Sequence, residues 1–381
     1  MRHSDARFLT THVGSLPRPQ EVVDALFAED RGELTDTAAF DETMRLAVAD
    51  AVARQLEVGI DIPSDGEMSK ISYATYIRHR LSGFEGGEDV PRAAPADLDA
   101  FPDFKARLAQ SGATPKYLRP VCRGPIAVKD THRLEGDIGR FRTALAGHDG
   151  DAFLNAASPG VIAVFQPNEY YPSRESYLWA LADAMKAEYE AIVRAGFLLQ
   201  IDCPDLAMGR HIAFRDEDDE QFLGHVTEQI EALNHALSGI PADRVRMHVC
   251  WGNYEGPHVF DIPLATIVRE VLKAKPEALL LEASNPRHAH EWAVWREVDL
   301  PDDKVLVPGV IDTTTNFVEH PDLVAERICR FTELVGRERV IAGTDCGFGT
   351  FAGFGAIEPS ICWQKLRSLV EGAAIASSRL W

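Results

Sequence analysis

At 381 residues, 45% hydrophobic and 26% charged, the chain has a globular composition and enough length to bury a large core. A formal net charge of −20 argues against a nucleic-acid or anionic-membrane partner, since both need a basic footprint. The N-terminus lacks the apolar core of a signal peptide, no run approaches the ~20 apolar residues of a membrane span, and the six cysteines form no Cys-x-x-Cys, so a cytoplasmic setting is expected.

Short apolar, β-branched runs recur at residues 10–15, 59–63, 160–165, 198–202, 245–250, 278–282, 305–311 and 340–343. Helical period fills the gaps between them. In 183–196, Met185, Tyr189, Ile192 and Val193 share a face and Gly196 marks the stop. In 321–336, Pro321 opens a helix, Leu323, Val324, Ile328, Phe331 and Leu334 point inward, and Gly336 closes it. Eight strands alternating with helices predict an α/β fold, and eight is the number that closes a (β/α)8 TIM barrel. An open doubly wound sheet is the alternative, but its Gly-x-Gly-x-x-Gly turn is missing. Residues 84–120, rich in Gly, Pro, Ala and Asp, break the alternation, and 121–128 adds a strand-like run. The expectation is one barrel domain over 1–381, with 84–128 a lid-like insertion between strands 2 and 3.

Catalytic groups of such barrels come from the C-terminal ends of strands. Those ends carry Ser15, Asp65 with Glu67, Asp202, His248 with Cys250, Glu282, Asp312, and Asp345 with Cys346. In a strand, residues i and i+2 share a face, so His248 and Cys250 can reach one metal together. A carboxylate closing the apolar run Leu-Leu-Leu-Glu must find solvent or a partner, which singles out Glu282. Each piece alone also fits a buried thiol or a barrel-mouth carboxylate. Together, His248, Cys250, Glu282 and Cys346 offer one nitrogen, two sulfurs and one carboxylate, a tetrahedral set that selects zinc over magnesium or calcium. Two thiolates and a carboxylate around Zn²⁺ leave an electron-rich centre, poor for hydrolysis but suited to holding a substrate thiol as thiolate. Thiol alkylation is the chemistry this predicts.

These residues resemble the catalytic barrel of cobalamin-independent methionine synthase and its short single-barrel relatives, which include the zinc-dependent epoxyalkane:coenzyme M transferases. The resemblance runs from Thr10-Thr11-His12-Val13-Gly14-Ser15 to Asp345-Cys346-Gly347. It implies that His248, Cys250, Glu282 and Cys346 bind zinc. It further implies that Gly14 and Ser15 bind the amino-acid part of homocysteine, and that Glu67 and Asp202 grip its ammonium as binding and catalytic groups. Where the folate enzyme has a proton-relay histidine, this chain has Thr314, which leaves the alkyl donor open and makes His258 or His12 the candidate acid. Arg18, Arg123 and Arg287 are candidates for an anionic substrate tail, and Phe165 with Tyr170 and Tyr171 for a donor pocket. The leading expectation is zinc-dependent methyl transfer to homocysteine, a step of methionine biosynthesis. The alternative is epoxide opening by a sulfonated thiol. Further rivals are a metal-free decarboxylase of the same superfamily and a zinc-stabilised binding barrel. The partners expected are a small thiol and an alkyl donor, and a homo-oligomer is compatible with the sequence.

Overall fold

The computed structural model of the chain describes residues 1–86, 95–110 and 119–381. Within the expected insertion, residues 87–94 and 111–118 therefore lie outside the described residues. A short antiparallel pair, β1 (Phe84–Glu85) and β2 (Val121–Cys122), precedes the main sheet. That sheet is parallel and in chain order: β3 (Phe153–Ala157), β4 (Leu198–Asp202), β5 (Val245–Val249), β6 (Ala278–Leu281), β7 (Val305–Ile311) and β8 (Gly343–Thr344). Isolated parallel bridges carry it round, from Ala342 to Thr10, from Thr11 to Ile62, and from Ser64 to Phe153 of β3. The runs around 10–15 and 59–63 thus supply the two missing staves, and the sheet curls into a TIM barrel.

The third expected strand needs correction. Residues 160–165 belong to a helix, Pro159–Phe165, because Ser158 caps the Val161 N–H and Pro159 occupies the first turn. The strand itself is Phe153–Ala157, whose Phe-Leu-Asn-Ala-Ala has little of the β-branched character that marks its neighbours. A second correction concerns Leu323. It lies in the first turn of the helix Pro321–Val335 on the solvent side, 38% exposed, while Val324, Ala325, Ile328 and Phe331 face inward. The other expected helix starts earlier than read, spanning Arg174–Arg194; Met185, Tyr189 and Ile192 are buried, Val193 is half-buried, and Gly196 follows at φ 96°.

Every residue of β3 to β7 is buried, as parallel strands covered on both faces must be. One face packs on the surrounding helices. The other fills the barrel with Val13, Ile62, Phe153, Leu198, Leu280, Val305 and Ile341, each such side chain contributing about 1.5–3 kcal/mol on burial. Along β5 the pleat sends Val245, Met247 and Val249 to the helix side and leaves Arg246 and His248 on the barrel side. Arg246 is held there by Thr11 Oγ1 at 2.9 Å and the His12 carbonyl at 2.7 Å.

Between the second stave and β3 the chain makes a long excursion. Leu81 bridges Val128, and the helix Ala96–Ala100 reaches the barrel mouth. There Asp97 accepts from the Tyr254 hydroxyl at 2.9 Å and the Val259 N–H at 3.0 Å, and Asp99 accepts from Arg215 at 2.6 Å.

Candidate active site

The period-2 pleat that turns His248 inward places Cys250 on the same side just past the end of β5. Cys346 arrives from the turn after β8, where Thr344 Oγ1 donates to the Cys346 carbonyl at 2.8 Å. The ligand-capable atoms of His248, Cys250 and Cys346 all lie within 4.8 Å of one another, and the two sulfurs are 3.8 Å apart. All three residues are buried. Glu282, directly after β6, stands beside this group, within electrostatic reach of both Cys250 and Cys346. Its carboxylate is tethered at both oxygens, accepting from the Trp251 N–H and from the Asn285 amide, each at 2.8 Å.

The electrostatics of the cluster favour a cation. Burial lowers the His248 pKa to about 3, so the imidazole is neutral. Neither ring nitrogen makes a hydrogen bond of good geometry, a costly state for a buried polar group. The Cys250 thiol is pushed well up by its contact with Cys346 and by burial. For Cys346 the contact with Cys250 lowers the pKa, but burial and the Glu282 charge outweigh it. Glu282 is itself pushed far above the carboxylate range by burial and by Cys250. Three buried acids whose ionisation is suppressed overall, beside a neutral imidazole whose lone pair has no partner, form a set that a dication would stabilise, and its softness suits zinc.

A cavity of about 420 Å³ opens onto this cluster and is also lined by Ser15, Glu67 and Asp202. Asp202 accepts from Asn155 at 3.0 Å and Gln200 at 2.9 Å, yet burial and the neighbouring Glu67 charge raise its pKa to about 7. Glu67 adopts φ 53°, an uncommon conformation for a non-glycine residue, and Arg18 braces it by donating to its carbonyl at 2.7 Å. Its Oε2 lacks a hydrogen bond, and Lys70 lies 3.4 Å away. Two buried carboxylates within mutual electrostatic reach, one of them with an oxygen that lacks a hydrogen bond, form a receptor for a cationic group.

Gly14 is placed differently from Ser15. Its φ of 135° suits glycine alone, a Cβ there would strike the Asn155 amide, and its carbonyl accepts from Ser64 Oγ. Gly14 therefore shapes the turn that delivers Ser15, and Gly347 is held equally close, since a Cβ on it would strike Ser15 Oγ.

His258 is not among the described lining residues of the cavity. Its Nδ1 meets Asp261 at 2.8 Å and its Nε2 the Tyr254 carbonyl at 3.1 Å. His12 is sealed inside the barrel, with Nε2 on Gln55 at 2.7 Å and Nδ1 accepting from Gly14 N–H. Arg18 is committed to carbonyls, Arg123 pairs with Glu169 at the surface, and Arg287 is exposed. Phe165 lines the cavity, whereas Tyr170 is exposed and Tyr171 accepts from the Ile126 N–H.

Sequence reasoning missed the residues that hold the site in shape. Asn155, on the strand that was misplaced, bridges Asp202 to the Val13 carbonyl. Asp345 accepts from three successive N–H groups, Ala283, Ser284 and Asn285, at 2.7–2.9 Å, which locks the loop after Glu282 to the turn carrying Cys346. Its position beside Cys346 was the available signal.

The catalytic-domain family of cobalamin-independent synthases matches residues 8–89 and 109–361. The chain is 27% identical to a methionine synthase of Saccharolobus islandicus, over 97% of this chain and 95% of that protein. It is 24% identical to one of Sulfurisphaera tokodaii, over 97% and 93%. Among solved structures, a B12-independent methionine synthase of a Shewanella species in complex with selenomethionine superposes with a TM-score of 0.75 at 19% identity, covering 98% of this chain and 99% of that one. A vitamin-B12-independent methionine synthase described as putative, from Listeria monocytogenes, gives 0.67 at 22%, covering 99% and 98%. With the family matched over most of its length and the barrel shared, the chain belongs to the cobalamin-independent synthase catalytic-domain family.

Proposed function

We propose that the protein is a methyltransferase that methylates the thiol of homocysteine, with zinc held by His248, Cys250, Cys346 and Glu282. The observation that carries this reading is one cavity lined both by a buried His-Cys-Cys donor set of metal-binding size and by a pair of buried carboxylates, Glu67 and Asp202. The curated relatives bear the name methionine synthase, which supports the same acceptor. Zinc, when bound, supplies the positive charge that keeps a substrate thiol ionised at neutral pH.

The chain's own residues do the rest. Glu67 and Asp202 take the substrate ammonium, each becoming a charge-assisted partner, and that contact draws the Asp202 carboxyl back toward its ionised form. Ser15, fixed between Gly14 and Gly347, is placed to bind the substrate carboxylate. Asn155 and Gln200 hold Asp202 in position, and Asp345 keeps the Glu282 loop from drifting. The helix Ala96–Ala100 and its neighbour Pro102–Gln110 form one wall of the cavity. The carboxylate pair favours homocysteine over the epoxide-opening alternative, because two acids would repel the sulfonate of a sulfonated thiol. In this reading the protein works in the cytoplasm on small molecules.

Cobalt(II) substitution followed by titration with homocysteine, and separately with coenzyme M, tests this. A sulfur-to-metal charge-transfer band that grows with homocysteine and is lost in Cys250→Ala is the expected result. No metal uptake would sink the zinc reading, and uptake without a thiol response would sink thiol activation.

A further inference from the structure

Cys250 and Cys346 come from loops that the barrel does not place side by side. In the order β5-β6-β7-β8, two strands stand between the one that delivers Cys250 and the one that delivers Cys346. Neighbouring strands run about 4.8 Å apart, so the strand ends alone leave the two loops well out of contact. The sulfurs nevertheless meet at 3.8 Å. Two sulfurs bound at about 2.3 Å to one tetrahedral zinc would stand about 3.8 Å apart as well. A contact above the strands has to draw the loops to that distance.

Asn253, three residues beyond Cys250, spans the gap. Its side-chain nitrogen donates to the Gly347 carbonyl, next to Cys346, at 2.7 Å. Its side-chain oxygen accepts from Thr313 Oγ1, in the loop after β7, at 2.9 Å. A carbonyl can only accept, which fixes the amide this way round and leaves its oxygen for the hydroxyl. Thr313 is buried, and Asn253 is half-buried in the cavity wall. The turn before Asn253 is shaped for the sulfur: Gly252, at φ 121°, donates its N–H to Cys250 Sγ at 3.3 Å.

We propose that Asn253 is a positioning residue for the metal centre: by tying the loops after β5, β7 and β8 together, it holds Cys250 and Cys346 at the separation one zinc ion requires. This rests on the zinc set proposed above. Groups that fix ligands in place raise metal affinity without binding the metal, and losing one costs about 10- to 100-fold.

Zinc affinity is measured by competition with a colorimetric chelator, on the native protein and on Asn253→Leu, which keeps the bulk and removes both bonds. The zinc dissociation constant should rise about 10- to 100-fold, and the d–d bands of the cobalt(II) form should shift, with melting curves of the metal-free protein confirming that the variant folds. Thr313→Val should weaken zinc binding in the same direction but less, and Thr313→Ser, which keeps the hydroxyl, should match the native protein. On an Asn253→Leu background Thr313→Val should add nothing. If Asn253→Leu does not fold, the two threonine variants carry the comparison. Unchanged zinc affinity in Asn253→Leu, whatever its melting temperature, or a Thr313→Val that matches Thr313→Ser, overturns the proposal. A native protein that takes up no zinc sinks the zinc reading and the clamp with it; native uptake with unchanged affinity in Asn253→Leu sinks the clamp alone.

Discussion

His248 and His288 are both buried imidazoles near acidic groups at the same end of the barrel, and their pKa values move in opposite directions. His248, whose nitrogens find no proper partner, falls to about 3. His288 rises to about 10, because Asp261 at 2.9 Å and Glu291 at 2.8 Å outweigh its burial. The second cluster continues through His258, which shares Asp261, and through Asp97 and His211, which lie close enough to Asp261 to form a metal-sized group. Its charges alternate in sign and most of its polar atoms are paired, whereas the first cluster holds buried acids of suppressed ionisation around an imidazole that has no partner. A buried network whose partners are mostly all present is scaffold, and one that lacks a counter-charge is waiting for a ligand. Trp251 joins the two, its ring 4.5 Å from His288 and its backbone N–H donating to Glu282.

The sharpest way to break this contrast is to remove one member from each side. Cys250→Ala should abolish stoichiometric zinc binding and methyl transfer, while thermal stability changes by no more than about 2 kcal/mol, since a strained donor is relieved as a thiol is lost; metal analysis and thermal melts read both quantities. His288→Leu should do the reverse. It leaves Asp261 and Glu291 buried without their cation, a loss of about 3–5 kcal/mol in stability, and metal bound by the folded fraction should stay near one per chain.

Two smaller effects sharpen the comparison. Asp202→Asn removes one of two carboxylates from the ammonium and should raise the homocysteine Kd about 10- to 100-fold, the worth of one hydrogen bond to a charged group, with zinc content unchanged. Because burial and Glu67 hold the Asp202 carboxyl near 7, homocysteine binding to the native protein should weaken as pH falls below that value, and Asp202→Asn should flatten the profile.

The pH dependence of stability has the opposite sense at His288. Its folded pKa lies above the ordinary value, so its stabilisation is complete below the unfolded pKa of about 6.5 and is lost as pH rises through about 10. The melting-temperature gap between the native protein and His288→Leu should shrink over that range. Smallest of all, Tyr254→Phe removes one neutral donor from Asp97 and should cost about 1 kcal/mol, measured by denaturant melts.

The sequence by itself determined the barrel and its chemistry where local pattern is enough. Period-2 runs ending in His-Val-Cys and Leu-Leu-Leu-Glu mark strands whose last residues face one space, because the pleat fixes which side chains share a face. The pairing of His248 with Cys250 could be read for the same reason, while the full set with Glu282 and Cys346 came from the resemblance to the family. What the sequence could not determine was decided by tertiary contact. Residues 160–165 are the exception: as apolar as a strand, they are committed to a helix by a local start signal, the Ser158 cap with Pro159. Asn155 and Gln200 show no local signal, since both donate to the Val13 carbonyl, brought from a distant turn. The division between a satisfied histidine network and an unsatisfied one was likewise settled in three dimensions: His258 and His248 look alike as letters, and only the placement of Asp261, 2.8 Å from one, separates a structural imidazole from a candidate ligand.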